Sequence, residues 1–424
     1  MNPLQDEKKS PVRVSERRWR SPDTSDARRL NRSSVLSRLL DSGTGTRGEF
    51  GHVTGLSLAT VSRVVEGLLA EGLVAEGSAV LSGRRGRAAA SLAARSDQDL
   101  ICGIDLGGTN CRFLLADLLG RPLATDSQLT PTTLGADALA EWIAARIQAL
   151  TTGHQGTLRA LAAGLPGVVS LDGPTISGAP NVPQIEGEAF AQQLARCVPA
   201  PVTLENDSNL ALLGELRFGA GRGFTNAVMF TIGTGVGAGV VLDGQLRRGR
   251  HGIVGEFGYL PAGPSGEVIE ALLSGSGLVS RARALGARVQ SAADVFAADA
   301  PALLAPLREQ FDHALLLAVT AAAVAYEPEA VIIGGRLSAV IAPRLRNTKR
   351  QLRELVPAAP ELLIAELGDL SGALGALAAA CQETYLALGV TQADATGLPG
   401  SAAVAAIRHQ LVEVMPDVHP ASPV

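Results

Sequence analysis

The 424-residue chain is 46% hydrophobic and 18% charged, an ordinary globular balance that excludes wholesale disorder. Its length exceeds one small core and suits two or three domains. The net charge of -4 conceals an asymmetry: residues 1–95 carry 16 Lys and Arg against 10 Asp and Glu, the remainder 21 against 31. A basic head on an acidic body suits a head that meets a polyanion, although a merely solvated basic arm has the same composition. Cys102, Cys111, Cys197 and Cys381 are scattered without a CxxC pair. That spacing gives no disulfide framework and no zinc knuckle, and fits buried thiols in a reducing compartment. The charged N-terminus lacks the apolar core of a signal peptide, and the most apolar stretch, 314–326, falls short of the roughly 20 residues of a membrane span. The expectation is a soluble, cytoplasmic protein with no membrane partner.

In chain order, residues 1–27 read as a flexible basic arm interrupted by Pro3, Pro11 and Pro22. Residues 28–95 form the next unit. A helix begins near Asn31, with Val35, Leu36, Leu39 and Leu40 on one face, and the run Ser42-Gly43-Thr44-Gly45 breaks it. A short helix over about 46–53 leads through Thr54-Gly55-Leu56 to a third helix, for which Ser57 is the expected N-cap. Leu58, Val61, Val65, Leu68 and Leu69 make its apolar face, and Ala59, Thr60, Ser62 and Arg63 the other. Residues 73–92 alternate as a two-stranded hairpin tipped by Ser82-Gly83-Arg84-Arg85-Gly86-Arg87.

This order is that of a winged helix-turn-helix. Ser57, Ala59, Thr60, Ser62 and Arg63 would face the major groove of double-stranded DNA, and Arg84, Arg85 and Arg87 would meet phosphates or the minor groove. The competing reading is an ordinary three-helix packing module with a solvated loop.

From Leu100 strands alternate with helices. Strands are expected over 100–106, 111–117, 158–164, 202–204, 227–232, 240–242 and 331–333, with helices around Leu139–Leu150 and through Phe218. Two glycine-rich hairpins are the informative pair: Asp105-Leu106-Gly107-Gly108-Thr109-Asn110 and Gly233-Thr234-Gly235-Val236-Gly237-Ala238-Gly239. Glycines at such turns let backbone N–H groups surround phosphate oxygens. Asp105 is poised to hold a Mg²⁺-associated water, Thr109 and Thr234 can donate to phosphate, and Gly334-Gly335 closes a third strand. Singly, each is an ordinary tight turn. Asn206-Asp207 sits where a strand passes into a helix, so both side chains would face a cleft; Asp207 there can take a proton from an attacking hydroxyl. A helix cap is the competing reading of the same pair.

With these residues in place, the chain resembles the ROK family of repressors, uncharacterised reading frames and sugar kinases over about residues 30–390. The motifs that carry the resemblance are Asp-Leu-Gly-Gly-Thr-Asn (105–110), Leu-Pro-Gly (165–167), Glu-Asn-Asp-Ser-Asn (205–209), Gly-Glu-Leu-Arg-Phe-Gly (214–219), the 233–239 turn, Gly-Glu-Phe-Gly (255–258) and Ile-Ile-Gly-Gly (332–335). It implies an α/β chain: an N-terminal winged helix-turn-helix followed by a two-lobed actin-like ATPase (ribonuclease H-like) sugar-kinase fold. The small lobe would span 98–206, the large lobe with a closing C-terminal helix 207–390, and an appendage of uncertain order 391–424. It further implies that Gly167, Asn206, Asp207, Glu256, Tyr259 and Glu270 face a sugar, with Asp207 the base if the chain is kinase-active. Asp105, Gly107, Gly108, Thr109, Gly233, Thr234, Gly235, Gly237, Gly334 and Gly335 would face the phosphates of ATP with Mg²⁺.

One departure matters. The family's kinases carry a histidine and a cysteine-rich segment that binds structural zinc; here the histidine position is Tyr259, and 260–267 holds no cysteine. No zinc is expected. The resulting expectation is a sugar-responsive DNA-binding transcriptional regulator, a repressor, whose kinase-like body binds a sugar or sugar phosphate. The alternative is an ATP-dependent sugar kinase, glucokinase-like or acting on N-acetylhexosamines, alone or as a bifunctional regulator. A palindromic operator and a homodimer or homotetramer go with the regulator reading.

Overall fold

The structure is a computed structural model, describing residues 24–80, 89–263 and 266–414. Its first helix, α1 (Thr24–Ser42), starts seven residues before the expected Asn31 and runs across the expected arm boundary at 27. The cause is local: Thr24-Ser25-Asp26 has no proline, and Asp26 pairs with Arg29 one turn on at 3.7 Å. The break after α1 also holds a short strand, β1 (Thr44–Thr46), that the sequence pattern did not reveal.

The helix α2 (Arg47–Thr54) begins with a reciprocal cap, Thr46 Oγ1 accepting from Glu49 N and Glu49 Oε2 accepting from Thr46 N, and ends at Gly55 with φ 71°. The helix α3 (Leu58–Ala70) is capped by Ser57, which accepts from Thr60 N. The chain bends by 118° between α2 and α3. Val61, Val65 and Leu68 of α3 are buried, but Leu58, expected on the same apolar face, is 62% exposed because it lies one turn beyond the end of the packed stripe. The strands β2 (Val74–Val80) and β3 (Ala89–Ala94) complete a three-stranded sheet in the order β1-β3-β2. Arg84, Arg85 and Arg87, at the expected hairpin tip, lie outside the described residues.

The body has two five-stranded sheets. The first comprises β4 (Asp99–Leu106), β5 (Asn110–Asp117), β6 (Pro122–Leu129), β7 (Thr157–Leu165) and, after the short ladder β8 (Val168–Val169) and β9 (Ile176–Ser177), β10 (Val202–Asn206). Its order is β10-β7-β4-β5-β6, with β7 parallel to β4 and β10. The helices α4 (Ala136–Thr151) and α5 (Ala189–Cys197) share a buried cluster with one face of this sheet. The helix α6 (Asp207–Phe218) then leads to β11 (Ala227–Ile232), β12 (Val236–Leu242) and β13 (Gln245–Leu246). After α7 (Ile269–Leu273), α8 (Gly275–Ala284) and α9 (Ala305–Tyr326) come β14 (Ala330–Gly334), α10 (Ser338–Ile341), α11 (Leu345–Leu355) and β15 (Glu361–Ile364). The second sheet runs β13-β12-β11-β14-β15.

The chain then returns. The helix α12 (Ser371–Ala387), expected to close the large lobe, packs instead on β4, β5 and β7 of the first sheet and on α6. Glycines set this approach: a Cβ on Gly103 would lie 2.4 Å from Leu377 N, one on Gly214 2.2 Å from Ser371 O, and one on Gly375 1.7 Å from Leu210 O. Fully buried Glu215 secures the crossing, accepting from Ala220 N, Glu366 N, Leu367 N and Ser371 Oγ at 2.8–3.0 Å.

Residues 391–414, expected as part of an appendage of uncertain order, form two helices packed on the rest of the chain. The helices α13 (Gln392–Ala395) and α14 (Ser401–Val414) bury Ala395, Leu398, Ala403 and Ile407 in one cluster with Val35, Leu36 and Leu39 of α1 and Leu377 and Tyr385 of α12. Thr391 N donates to Ser33 Oγ at 2.7 Å, Ser33 Oγ donates to Asp394, and Ser401 N donates to Asp41 at 2.8 Å. An alanine-rich segment hides such a role, since small side chains bury only where another surface comes to them. Among the described residues, no single helix is long and apolar enough to cross a membrane.

Gly375→Ala should drive α6 and α12 apart, because its methyl meets backbone rather than a movable side chain. The expected loss is about 1–3 kcal/mol or more of folding stability, read by chemical denaturation. Gly67→Ala, on the open side of α3 with nothing within 4 Å of the added methyl, should be neutral or slightly stabilising.

Candidate functional site

The ends of β4, β10 and α6 meet α7 and the 255–258 segment at a cluster of four acids: Asp105, Asp207, Glu256 and Glu270. Asp105 ends β4 and Asp207 opens α6. The helix cap is not Asp207 but Asn206, whose Oδ1 accepts from Ser208 N at 2.9 Å and Asn209 N at 3.1 Å. Its amide then donates to Gly167 O at 2.9 Å, so Asn206 ties the Leu-Pro-Gly turn to the head of α6. Asp207 Oδ1 accepts from Ser208 N at 2.7 Å. Behind them, buried Glu205 accepts from Asn206 N and Asn209 Nδ2 at 2.9 Å each and pairs with Arg248.

Glu270 lies on α7 and reaches back to accept from Val236 N at 3.0 Å. Added methyls on Gly235 and Gly258 would each come within 2.9 Å of its carboxylate, so both glycines make room for it. Burial raises all four acids, and neighbouring carboxylates add to it at Asp105 and Glu256. Burial pushes the Asp105 carboxyl up to about 7, and the negative charges of Asp207 and Asp369 add to this while Arg112 opposes it. Burial raises Asp207 as well. Glu256 is raised by burial and then by Asp207 and Glu270, and Glu270 by burial against the pull of Val236 N. Such a cleft is a concentration of acceptors, suited to a ligand rich in hydroxyl donors. Tyr259 differs from these residues in burial: its side chain is 75% exposed.

The glycine turns are tighter than expected. Gly107 N donates to Asn110 O, Gly233 N to Gly235 O, and Gly275 N, at the start of α8, donates to Gly233 O. The second turn is only 233–235, because β12 already begins at Val236. Gly237 therefore sits in a strand, where a methyl would meet Ser208 Oγ at 2.2 Å; its requirement is the packing of β12 on α6. Gly334 and Gly335 are likewise occupied by packing, against Met229 and the Ile232 backbone. A methyl on Gly108 would strike Asn181 at 2.8 Å, and Thr109 and Thr234 are exposed.

Sequence reasoning missed Arg112. From β5 its guanidinium lies 3.7 Å from Asp105 and 2.7 Å from Asp369, two residues before α12. The available signal was a lone arginine inside the otherwise apolar strand Asn110–Asp117. Arg112 is thus a fixed cation beside Asp105, and a magnesium-bound water at Asp105 would share the carboxylate with it. Among the described residues, no three His, Cys, Asp or Glu side chains are grouped to hold a metal ion.

Asp105 binds its proton more tightly in the folded chain than its ordinary value near 4 allows. Its contribution to stability is therefore fully present below about pH 4 and is lost as pH rises through about 7, at up to about 1.4 kcal/mol per pH unit. Relative to wild type, Asp105→Asn should gain stability between pH 5 and 8, measured as the difference between denaturant midpoints. An unchanged difference across that range would contradict the buried acid.

A model of the ROK family matches residues 101–383. The glucokinase of Streptomyces coelicolor is 35% identical over 167 residues, 39% of this chain and 51% of that one, so the chain spans about half the length of such curated relatives. Among solved structures, a ROK family glucokinase from Streptomyces griseus in complex with glucose and AMPPNP is 30% identical, covering 67% of this chain and 99% of its own at TM-score 0.55. A ROK family transcriptional regulator, homolog of the E. coli MLC protein, shares the fold over 87% of this chain and 99% of its own, at TM-score 0.71 and 21% identity. On the family match, and with sheets and cleft arranged as described, this chain belongs to the ROK family.

Proposed function

We propose that this chain is a sugar-responsive DNA-binding regulator, acting as a repressor. The observation that carries the reading is the head. Two helices joined by Gly55-Leu56-Ser57 bend by 118°, within the range of a helix-turn-helix, and the antiparallel pair β2 and β3 that follows supports a wing. The second helix presents exposed Ala59 and Arg63 and half-buried Thr60 and Ser62 away from its core face. The head also carries the chain's excess of basic residues, as a DNA-binding unit requires. The glucokinase structure matches two thirds of this chain, whereas the regulator structure extends to 87%, which supports a head that belongs to the fold. The body then binds the effector: Asp207, Glu256 and Glu270 accept hydrogen bonds from sugar hydroxyls, and Asn206, whose Oδ1 is taken by the helix cap, donates its remaining amide hydrogen beside Gly167. Two copies bind a roughly two-fold symmetric operator.

The second reading, an ATP-dependent sugar kinase, is favoured by one observation: Asp207, buried at the head of α6, stands where a base would take a hydroxyl proton. Arg112 beside Asp105 favours the sensor, because its charge already opposes the carboxylate that would otherwise face a nucleotide-bound cation alone.

Selection of bound fragments from random duplexes should yield a symmetric operator. Arg63→Ala should weaken binding by about 1–3 kcal/mol if it reads a base. Replacing Arg84, Arg85 and Arg87 with Ala should lower the log–log salt slope by about 0.9 for each phosphate left without its arginine. Deletion of residues 1–95 that left operator binding intact would contradict the reading. For the body, wild type and Asp207→Asn are compared across hexoses, pentoses and N-acetylhexosamines, for operator release and for sugar-dependent ATP turnover. The expected result is release that fails in the variant, with no turnover. Turnover of about 1 s⁻¹ or more, abolished by the variant, would establish the kinase instead.

A further inference from the structure

The helix α12 touches the cleft at one end and the head at the other. At its N-terminal end a methyl on Gly372 would lie 2.8 Å from the Asp105 carboxyl, and Asp369, two residues before α12, holds Arg112 at 2.7 Å. The same guanidinium faces Asp105 at 3.7 Å. At its C-terminal end, Arg32 of α1 donates to Leu388 O and also pairs with Glu71, just past the end of α3. Gly389 has to be glycine here, with φ 89° and the Arg32 guanidinium 2.8 Å from where a Cβ would sit. Between the two ends α12 has little room to deform: 12 of its 17 residues are buried, its Gly375 meets the α6 backbone, and Gly103 of β4 meets the α12 backbone in turn. A rod packed this way shifts as a unit rather than bending.

We propose that Arg112 and Arg32 are positioning residues at the two ends of one transmission element, so that sugar bound among the cleft carboxylates shifts α12 through Asp105, Arg112 and Asp369 and reorients α1 and α3 through Arg32. The inference rests on the regulator reading and deepens it by naming how the site controls the head. A hydroxyl-rich ligand competes with Arg112 for Asp105, and the guanidinium then transfers its weight to Asp369. At the far end Arg32 links three elements at once: α1, the end of α12 and the end of α3. The hydrogen bonds of α13 and α14 to Ser33 and Asp41 hold α1 against the body, so α1 follows α12 rather than floating free.

The test uses the full-length chain, its selected operator, and the sugar from the panel that gives the largest response. The quantity read is the ratio of operator affinities without and with sugar, alongside sugar affinity by calorimetry. Wild type should show a ratio of about five-fold or more. In Arg32→Gln and in Asp369→Asn the ratio should fall toward 1, while Arg32→Gln binds sugar within about two-fold of wild type. Arg29→Gln, which removes the same charge from the same helix and whose ion pair among the described residues is with Asp26, should keep the wild-type ratio. Hydrogen exchange on wild type gives a second readout that no unfolded variant can spoil. Added sugar should change the protection of amides around 388–394 and in α1.

A wild-type ratio that survives both Arg32→Gln and Asp369→Asn overturns this inference and leaves the regulator reading standing. So does sugar binding without a change in exchange in either segment. A wild type whose operator affinity ignores every sugar overturns the regulator reading itself.

Discussion

The contact between α6 and α12 is the constraint on which the rest of the molecule depends. Helices ordinarily pack with axes 8–10 Å apart because side chains separate them. Here Gly214 and Gly375 remove the side chains at the crossing, and backbone meets backbone. Glu215 then takes four donors into a site sealed from water, and its neighbour Gly219 leaves room for the carboxylate, 2.1 Å from where a Cβ would stand. A buried carboxylate is tolerable only when it is saturated in this way. The crossing fixes the first residues of α6, and with them Asn206 and Asp207, against the sheet that ends in Asp105.

From that fixed point the site follows by short steps. The cap supplied by Asn206 leaves Asp207 inside the first turn, facing the cleft. The strand β12 approaches α6 closely because Gly237 and Gly239 have no side chains to strike Ser208 and Asn209. The approach carries the second glycine turn and Glu270 into range. Burial raises the proton affinity of Asp105, Asp207, Glu256 and Glu270, and neighbouring carboxylates add to it at Asp105 and Glu256, which costs stability at neutral pH. Strain of this electrostatic kind is characteristic of a binding site rather than of a core.

The same crossing gives the molecule its reach. Because α12 lies on the first sheet instead of closing the second, its far end emerges next to α1, and one hydrophobic cluster runs without a break from Val61 in the head to Ile101 in the body and Ile407 near the C-terminus. A head docked through a shared core has a defined orientation, which a head on a flexible linker would lack. That is the physical requirement for a ligand in the body to alter what the head binds.

The sequence by itself determined the elements and the chemistry that is local along the chain. Strand runs ending in glycine turns, the Ser57 cap of α3, the start of α6 at Asp207 and the charge asymmetry between head and body were all legible, since each depends on neighbours within a few residues. Only the tertiary structure decided the rest. It made Asn206 rather than Asp207 the cap, turned Gly237 and Gly334 from turn residues into strand residues, and set Leu58 and Tyr259 at the surface. It paired Arg112 with Asp105 and Asp369, although Asp369 lies 257 residues away along the chain. It also gave the alanine-rich C-terminal segment a place in the core. These outcomes depend on which surfaces meet, and small residues announce nothing about their partners: a glycine between helices and a glycine in a turn are the same letter, distinguished only by the backbone that comes within reach of its missing side chain.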